Sequence, residues 1–490
     1  MDKSILITFG LYFIGVFAIG IIAWIKTNSI SDYILGGRRL GTFVSALSAG
    51  ASDMSGWLLL GLPGLVYTNG LQGLWLAGGL LTGTYLNWTV VAKRLRIFSQ
   101  TFNNSLTIPE YLENRFSDSS GLLRSMSALM ILFFFTIYTA SGLVAGGKLF
   151  NSLFPISYTT AILLGAGSVL IYTFMGGFLA VSWTDAFQAS LMLITLLIVP
   201  MLAFKEASHV NSDSFTSYLL TSLFSAGHKH SPTAIISLCA WGLGYFGQPH
   251  ILARFMAIKS HEHIPKARTI GTTWAAMAMA GAILTGISGM LIFQNGIQDA
   301  EKVFIFLVQR LIHPALAGIC LAGILAAIMS TADSQLLVSA SALAEDFYRA
   351  KIRPQASQKE LVWMGRATVL LVSLVAIYFA RDPNSKVLEM VSYAWAGFGA
   401  GFGPTIIMSL LWRRMTRNGA IAGIMAGSAC VVIWKNLNGG IFDIYEMVPG
   451  VIISFLSIWL VSNLSGSPCQ KTDELFQKSI GVLKNSIPYV

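Results

Sequence analysis

The chain has 490 residues, 54 % of them apolar and only 11 % charged, with 32 Lys and Arg against 22 Asp and Glu. A soluble domain carries roughly 25 % charged residues, so this composition excludes a soluble enzyme, a disordered chain and a secreted disulfide scaffold. It points to an integral membrane protein, and the informative residues are the few charges.

An apolar run from Ile5 to Ile25 opens the sequence. It exceeds the about 7–15 residues of a secretory h-region and leads through Lys26 into further apolar segments, so it reads as a retained first span. A spanning helix needs about 20 mostly apolar residues. The pattern predicts spans near 5–26, 41–67, 71–92, 124–149, 157–177, 183–204, 233–255, 269–293, 314–345, 361–380, 387–412, 419–437 and 445–464, about thirteen in all. A short surface helix is expected over 302–313, a long outer loop over 205–231 and a hydrophilic tail from Ser465. With the N-terminus outside and the C-terminus inside, 23 of the 32 basic residues fall on the inner side, Arg254 among them. That split obeys the positive-inside rule. No block of Lys and Arg suggests nucleic acid.

Cys239, Cys320, Cys430 and Cys469 form no CxxC pair and read as small apolar side chains. HExxH, GxSxG and GxxxxGK[ST] are absent, so neither an enzyme nor an ATP-driven pump is expected. His209, His228, His230, His261 and His263 read as solvated loop residues.

Ionisable groups inside spans are costly and mark function by default. Asp53 lies mid-span in Ser48-Ala-Gly-Ala-Ser52-Asp53-Met54-Ser55-Gly56-Trp57. The glycines weaken the helix. A break here would free the Ala51 and Met54 carbonyls, hard oxygen ligands for a small cation, and would expose helix N-termini suited to a carboxylate. Small-residue packing is the competing reading, made expensive by the aspartate. Ala327, Ser330 and Thr331 are spaced i, i+3, i+4 on one helix face, next to Asp333 and Ser334. Their hydroxyls could equally bond their own helix. Asp185 sits near an inner span end, as a helix-start carboxylate or in a direct role. In Trp241-Gly-Leu-Gly-Tyr245-Phe-Gly-Gln-Pro-His250, Gly and Pro soften the helix. Trp241 and Tyr245, four apart, would share a face, as a lid or as packing. Tyr393, Trp395 and Phe398 are expected to pack.

DYILGGRRLG (32–41), SALSAGASDMSGWLLLGLPG (45–64), FFFTIYTASGLVAGGKLF (133–150), YTFMGGFLAVSWTDAFQASLM (172–192), WGLGYFGQPHILARFMA (241–257) and ILAAIMSTADSQLLVSAS (324–341) carry a resemblance that runs to about residue 465. Through them the chain resembles the sodium:solute symporter family, in its proline-transporting branch.

The resemblance implies an all-α, leucine-transporter-like fold of inverted five-helix repeats. Residues 41–204 would form one repeat and 233–412 the other, in a transporter unit spanning 1–465. Helix 1 and residues 419–464 would be peripheral, and 466–490 a cytoplasmic tail. Span 2, broken, and span 9 would hold the first and eighth core positions. Sodium would be held by the carbonyls of Ala51, Met54 and Ala327 and the hydroxyls of Ser330 and Thr331, with Asp53. Ser55, Gly56, Trp57, Tyr138, Trp241 and Tyr245 would contact substrate. Arg38, Ser52, Asp185 and Asp333 would serve coupling or the ion path. The implied function is import of L-proline with sodium across the plasma membrane, in contact with lipid, without nucleic acid or an obligate protein partner. Symport of another small solute, coupling to protons, and a membrane sensor are the alternatives.

Overall fold

The computed structural model describes residues 3–25, 30–173, 177–210 and 231–485. Lys26, most of the expected outer loop, and His228, Lys229 and His230 lie outside the described residues. Among the described residues the regular structure is helical, apart from one isolated bridge between Leu40 and Ile258.

The helices in chain order are α1 (Lys3–Ile25), α2 (Ile30–Leu35), α3 (Thr42–Asp53), α4 (Leu62–Asn69), α5 (Gln72–Leu86), α6 (Lys93–Thr101), α7 (Ile108–Phe116), α8 (Leu122–Leu153), α9 (Tyr158–Thr173) and α10 (Phe178–Val210). They continue with α11 (Pro232–Cys239), α12 (Pro249–Ala257), α13 (Ile264–Ile292), α14 (Val303–Leu311), α15 (Pro314–Ser341), α16 (Gln358–Ala380), α17 (Val387–Leu411), α18 (Arg417–Trp434), α19 (Met447–Leu464) and α20 (Gln470–Asn485). Among the described residues, eight helices are long and apolar enough to cross a membrane. The other expected spans are α1 and α9, with shorter apolar stretches over Ile7–Ala23 and Tyr158–Ile171, or helices interrupted by irregular or wider turns. Exposed large apolar side chains, such as Ile14, Leu163, Leu370 and Leu456, coat the outer helices. Only an apolar solvent makes that surface favourable.

Two interruptions organise the centre. The first separates α3 from the turn that leads into α4. Asp53 is the last residue of α3, and Met54 leaves helical geometry at φ −84°, ψ 78°. The sequence reason is local. Ser55 restarts the helix as its hydroxyl accepts from the Trp57 amide at 3.4 Å. Gly56 is demanded by packing, because a Cβ there would lie 2.7 Å from Ala145 Cβ. Gly56→Val is therefore expected to destabilise the chain by about 1–3 kcal/mol through overpacking; an unchanged melting temperature in detergent would refute this.

The second interruption falls in span 7. A tight three-residue-per-turn stretch, Ala240–Gly247, joins α11 to extended Gln248 and then α12. Gly242 permits it, since a Cβ there would sit 2.2 Å from the Gly79 carbonyl. Span 9 is unbroken as α15. α3 packs against α10, α12, α13 and α15, so the first break lies inside protein. The expected surface helix is α14, with Val303, Phe304, Ile305, Leu307 and Val308 buried along it. The tail forms amphipathic α20, whose Phe476 packs on Phe98 and under the Arg115 guanidinium.

Candidate functional site

The first break brings span 9 to span 2. Ser330 Oγ donates to the Ala51 carbonyl at 2.9 Å and approaches the Ala327 carbonyl at 3.2 Å. Thr331 Oγ1 donates to the same Ala51 carbonyl at 3.3 Å. Four oxygens from two helices thus meet at one buried point. Hydroxyl rotation turns lone pairs toward a cation without moving the backbone. Met54 closes the last turn of α3, its amide donating to Gly50. Ser52 bonds within its own helix, its hydroxyl donating to the Ala49 carbonyl.

Asp53 is the hub of a second group. Its carbonyl accepts from the Tyr138 hydroxyl and from Trp57 Nε1, both at 3.2 Å. Its carboxylate Oδ2 accepts from the Tyr245 hydroxyl at 2.5 Å. Three aromatic side chains from α8, the turn before α4 and the span 7 stretch therefore grip one residue. Tyr245 also packs edge-on against Trp395, with ring centroids 5.1 Å apart.

Trp241 does not share that face. Its ring stacks on Tyr445, 5.6 Å between centroids. The i, i+4 expectation assumed 3.6 residues per turn, whereas three per turn separates the two side chains by about 120°. Trp395 Nε1 donates to the Trp241 carbonyl at 2.8 Å, so Trp395 links both aromatics.

Asp185 is fully buried and lies past the first turn of α10, so it is not a helix-start carboxylate. Its Oδ2 accepts from Ser48 Oγ at 2.6 Å and from Arg254 Nη2 at 3.0 Å. Arg254 is also fully buried. Its Nε donates to Ser48 Oγ at 3.0 Å, Nη2 to Ser334 Oγ at 2.5 Å and Nη1 to the His250 carbonyl at 2.8 Å. Ser334 in turn approaches Asp333 Oδ1 at 3.4 Å. One guanidinium thus ties α3, α10, α12 and α15 together. The positive-inside count gives Arg254 a side of the membrane and is silent on its partners. A buried carboxylate at Asp185 was the available signal that a cation had to be near.

Arg38 lies away from these groups, toward the expected cytoplasmic end. Its guanidinium donates to the Met256 carbonyl at 2.6 Å, the Ser105 carbonyl at 2.7 Å and Ser99 Oγ at 3.2 Å. It braces the entry to α3 against α12 and the α6–α7 turn. At the opposite end Lys148 and Glu301, both buried, pair at 2.7 Å. Glu301 also accepts the amides of Val387 and Leu388, closing the start of α17.

A bundle with two interrupted helices around buried oxygens is the architecture of sodium-coupled membrane symporters. A solved substrate-bound, outward-open Na+-coupled sialic acid symporter superposes with TM-score 0.79 over 96 % of this chain and 99 % of that one, at 17 % identity. The chain belongs to the sodium:solute symporter family, whose model matches residues 33–427. It is 50 % identical over 488 residues to the sodium/proline symporter of Salmonella typhimurium, covering 98 % of this chain and 97 % of the relative. It is 48 % identical over 472 residues to the high-affinity proline transporter PutP of Bacillus subtilis, covering 94 % and 98 %.

Proposed function

We propose that this chain imports L-proline together with sodium across the plasma membrane by alternating access, and that it performs transport alone, with no enzymatic step. The observation that carries the reading is the meeting of Ser330 and Thr331 with the Ala51 carbonyl at the broken helix. Family membership and the proline-transporting relatives support the choice of solute. Residues 1–465 form the transporter unit, with repeats over 41–204 and 233–412. Helix 1 and residues 419–464 are peripheral, and 466–490 is a cytoplasmic tail. The N-terminus is outside.

Sodium enters from outside and binds the Ala51, Met54 and Ala327 carbonyls and the Ser330 and Thr331 hydroxyls, with Asp53 alongside. Its charge offsets carbonyl dipoles that the break leaves without helical partners. The N-terminal end of the helix restarting at Ser55–Gly56–Trp57 then receives the substrate carboxylate. Tyr138 and Tyr245 close on the ring. Trp241 acts from behind through Trp395. Asp185 and Asp333 line the ion's inward path beside Ser52, and Arg38 couples the path to the expected cytoplasmic end. One charge crossing 100 mV supplies about 2.3 kcal/mol. A tenfold sodium gradient adds about 1.4 kcal/mol. Together they sustain accumulation on the order of several hundredfold at one sodium per proline.

The test is labelled proline uptake into proteoliposomes, with sodium varied at fixed pH. Uptake is expected to rise steeply with an inward sodium gradient and to be blocked by unlabelled proline. Uptake that follows a proton gradient at constant sodium would refute sodium coupling. Competition by a sugar, pantothenate or another compatible solute in place of proline would refute the substrate.

A further inference from the structure

Toward the expected cytoplasmic end, residues 102–107 and the start of α7 form one wall of a narrowing passage. A cavity of about 370 Å³ is lined by Leu106, Thr107 and Glu110 from that wall and by Glu345 and Arg349 from the wider turn after α15. It shares Leu106 and Thr107 with a second space of about 30 Å³. Pro249, Ala253 and Met256 of α12 line that smaller space opposite the wall, with Leu337 of α15. A water needs roughly 10–15 Å³ by the same measure, so the smaller space is too narrow for an amino acid. Parting α12 from the wall would widen it.

The tail helix α20 packs onto the elements that flank this wall, α6 before it and α7 after it. Its buried residues, Thr472, Phe476 and Ser479, are spaced i, i+4, i+7 and share one face. The Phe476 ring meets Phe98 of α6 edge-on, with centroids 5.3 Å apart. It also lies 4.8 Å from the guanidinium of Arg115 on α7, a cation–π contact. Arg115 is fully buried, and its Nε donates to the Ser409 carbonyl in the last turn of α17 at 2.9 Å. Asp473 pairs with Arg413, just past the end of α17. One short helix therefore fastens α6 and α7 to the end of α17. Phe98 adjoins Ser99, whose hydroxyl accepts from Arg38. The same guanidinium holds the Met256 carbonyl of α12. A continuous set of contacts thus runs from the tail, through the wall, to the opposite side of the closed passage.

We propose that α20 is a strap that holds the cytoplasmic side closed. Moving the wall away from α12 pulls Phe98 and Arg115 off Phe476, so undocking of the tail favours inward opening. The inference rests on the alternating-access reading and adds a control element to it. Docked and undocked tails bias the same two-state equilibrium, the docked tail toward the closed inner side.

The test uses the full chain with its four cysteines replaced by Ser and Ala253→Cys as a reporter in the passage. A membrane-impermeant thiol reagent is applied from the cytoplasmic side of inside-out vesicles. Phe476→Ala is expected to speed labelling several-fold. Asp473→Lys, an exposed change that sets a like charge against Arg413, is expected to speed it two-fold or more. Phe476→Tyr keeps the ring and is expected to label at the parental rate. Hydrogen exchange over 470–485 reports undocking directly, and both disruptive variants are expected to exchange faster at an unchanged melting temperature. Faster exchange in the tail with unchanged or slower labelling of Cys at 253 would overturn the strap. Unchanged exchange in both variants would also overturn it, because these contacts would then not hold the helix. Sodium-driven proline uptake by the parental chain is measured in the same preparation. Normal uptake with unchanged labelling removes only the strap, whereas uptake that ignores sodium counts against the import reading.

Discussion

Replacing Arg254 with Met is expected to abolish sodium-driven uptake and to destabilise the folded chain by about 3–5 kcal/mol, the usual result of removing one partner from a buried ion pair. The cause is charge balance in a space without water. Asp185, Asp333 and Arg254 are all fully buried. Arg254 is the guanidinium that meets Asp185 directly and Asp333 through Ser334. Without it, two carboxylates face each other unpaired. Its four hydrogen-bonded partners also sit on four different helices, so the loss loosens the packing of the first broken helix on α10 and α15. Arg254→Lys restores charge without the planar fork and is expected to recover only part of the stability. Thermal unfolding in detergent checks the first effect. A double-mutant cycle with Asp185→Asn checks the cause, because the coupling between the two sites should exceed about 1 kcal/mol. If Arg254→Met melts at the wild-type temperature, the guanidinium is not balancing these carboxylates.

The fold was legible in the sequence wherever the signal was a length or a missing side chain. Apolar runs located the eight long apolar helices found among the described residues, and the Ser-Gly-rich stretch around Asp53 located the first break. Gly and Pro in the Trp241–His250 run marked the second soft point, which the structure makes a true interruption. What the sequence hid was three-dimensional pairing. Arg254 sits close to a span end in the linear order and looks topological, yet its partners lie 69, 80 and 206 residues away. Trp241 and Tyr245 were read with the wrong turn, since a tight helix of three residues per turn is stabilised here by close contact with other backbones rather than by its own side chains. The tail offered no useful pattern, and Phe476 finds its place only through Phe98 and Arg115.

Replacing Ser330 and Thr331 together with Ala is expected to raise the sodium needed for half-maximal uptake by 100-fold or more, while the protein still inserts and folds. The two hydroxyls are the groups that reach the Ala51 carbonyl from α15. Each is buried, so losing one removes a directed oxygen from a site without water to replace it. At about 1.5 kcal/mol for each lost contact with a charged group, two losses amount to roughly 3 kcal/mol, or on the order of 100-fold in affinity. Stability should change far less. Alanine fits both positions, and the Ala51 carbonyl sits at a helix end whose conformation is held independently by Trp57 and Tyr138 on Asp53. The contrast separates binding from packing. If the hydroxyls only fasten span 9 to span 2, the double variant will melt earlier with an unaltered sodium curve. If they hold the ion, the sodium curve will shift at nearly constant melting temperature, and the proline concentration for half-maximal uptake at saturating sodium will stay close to its original value.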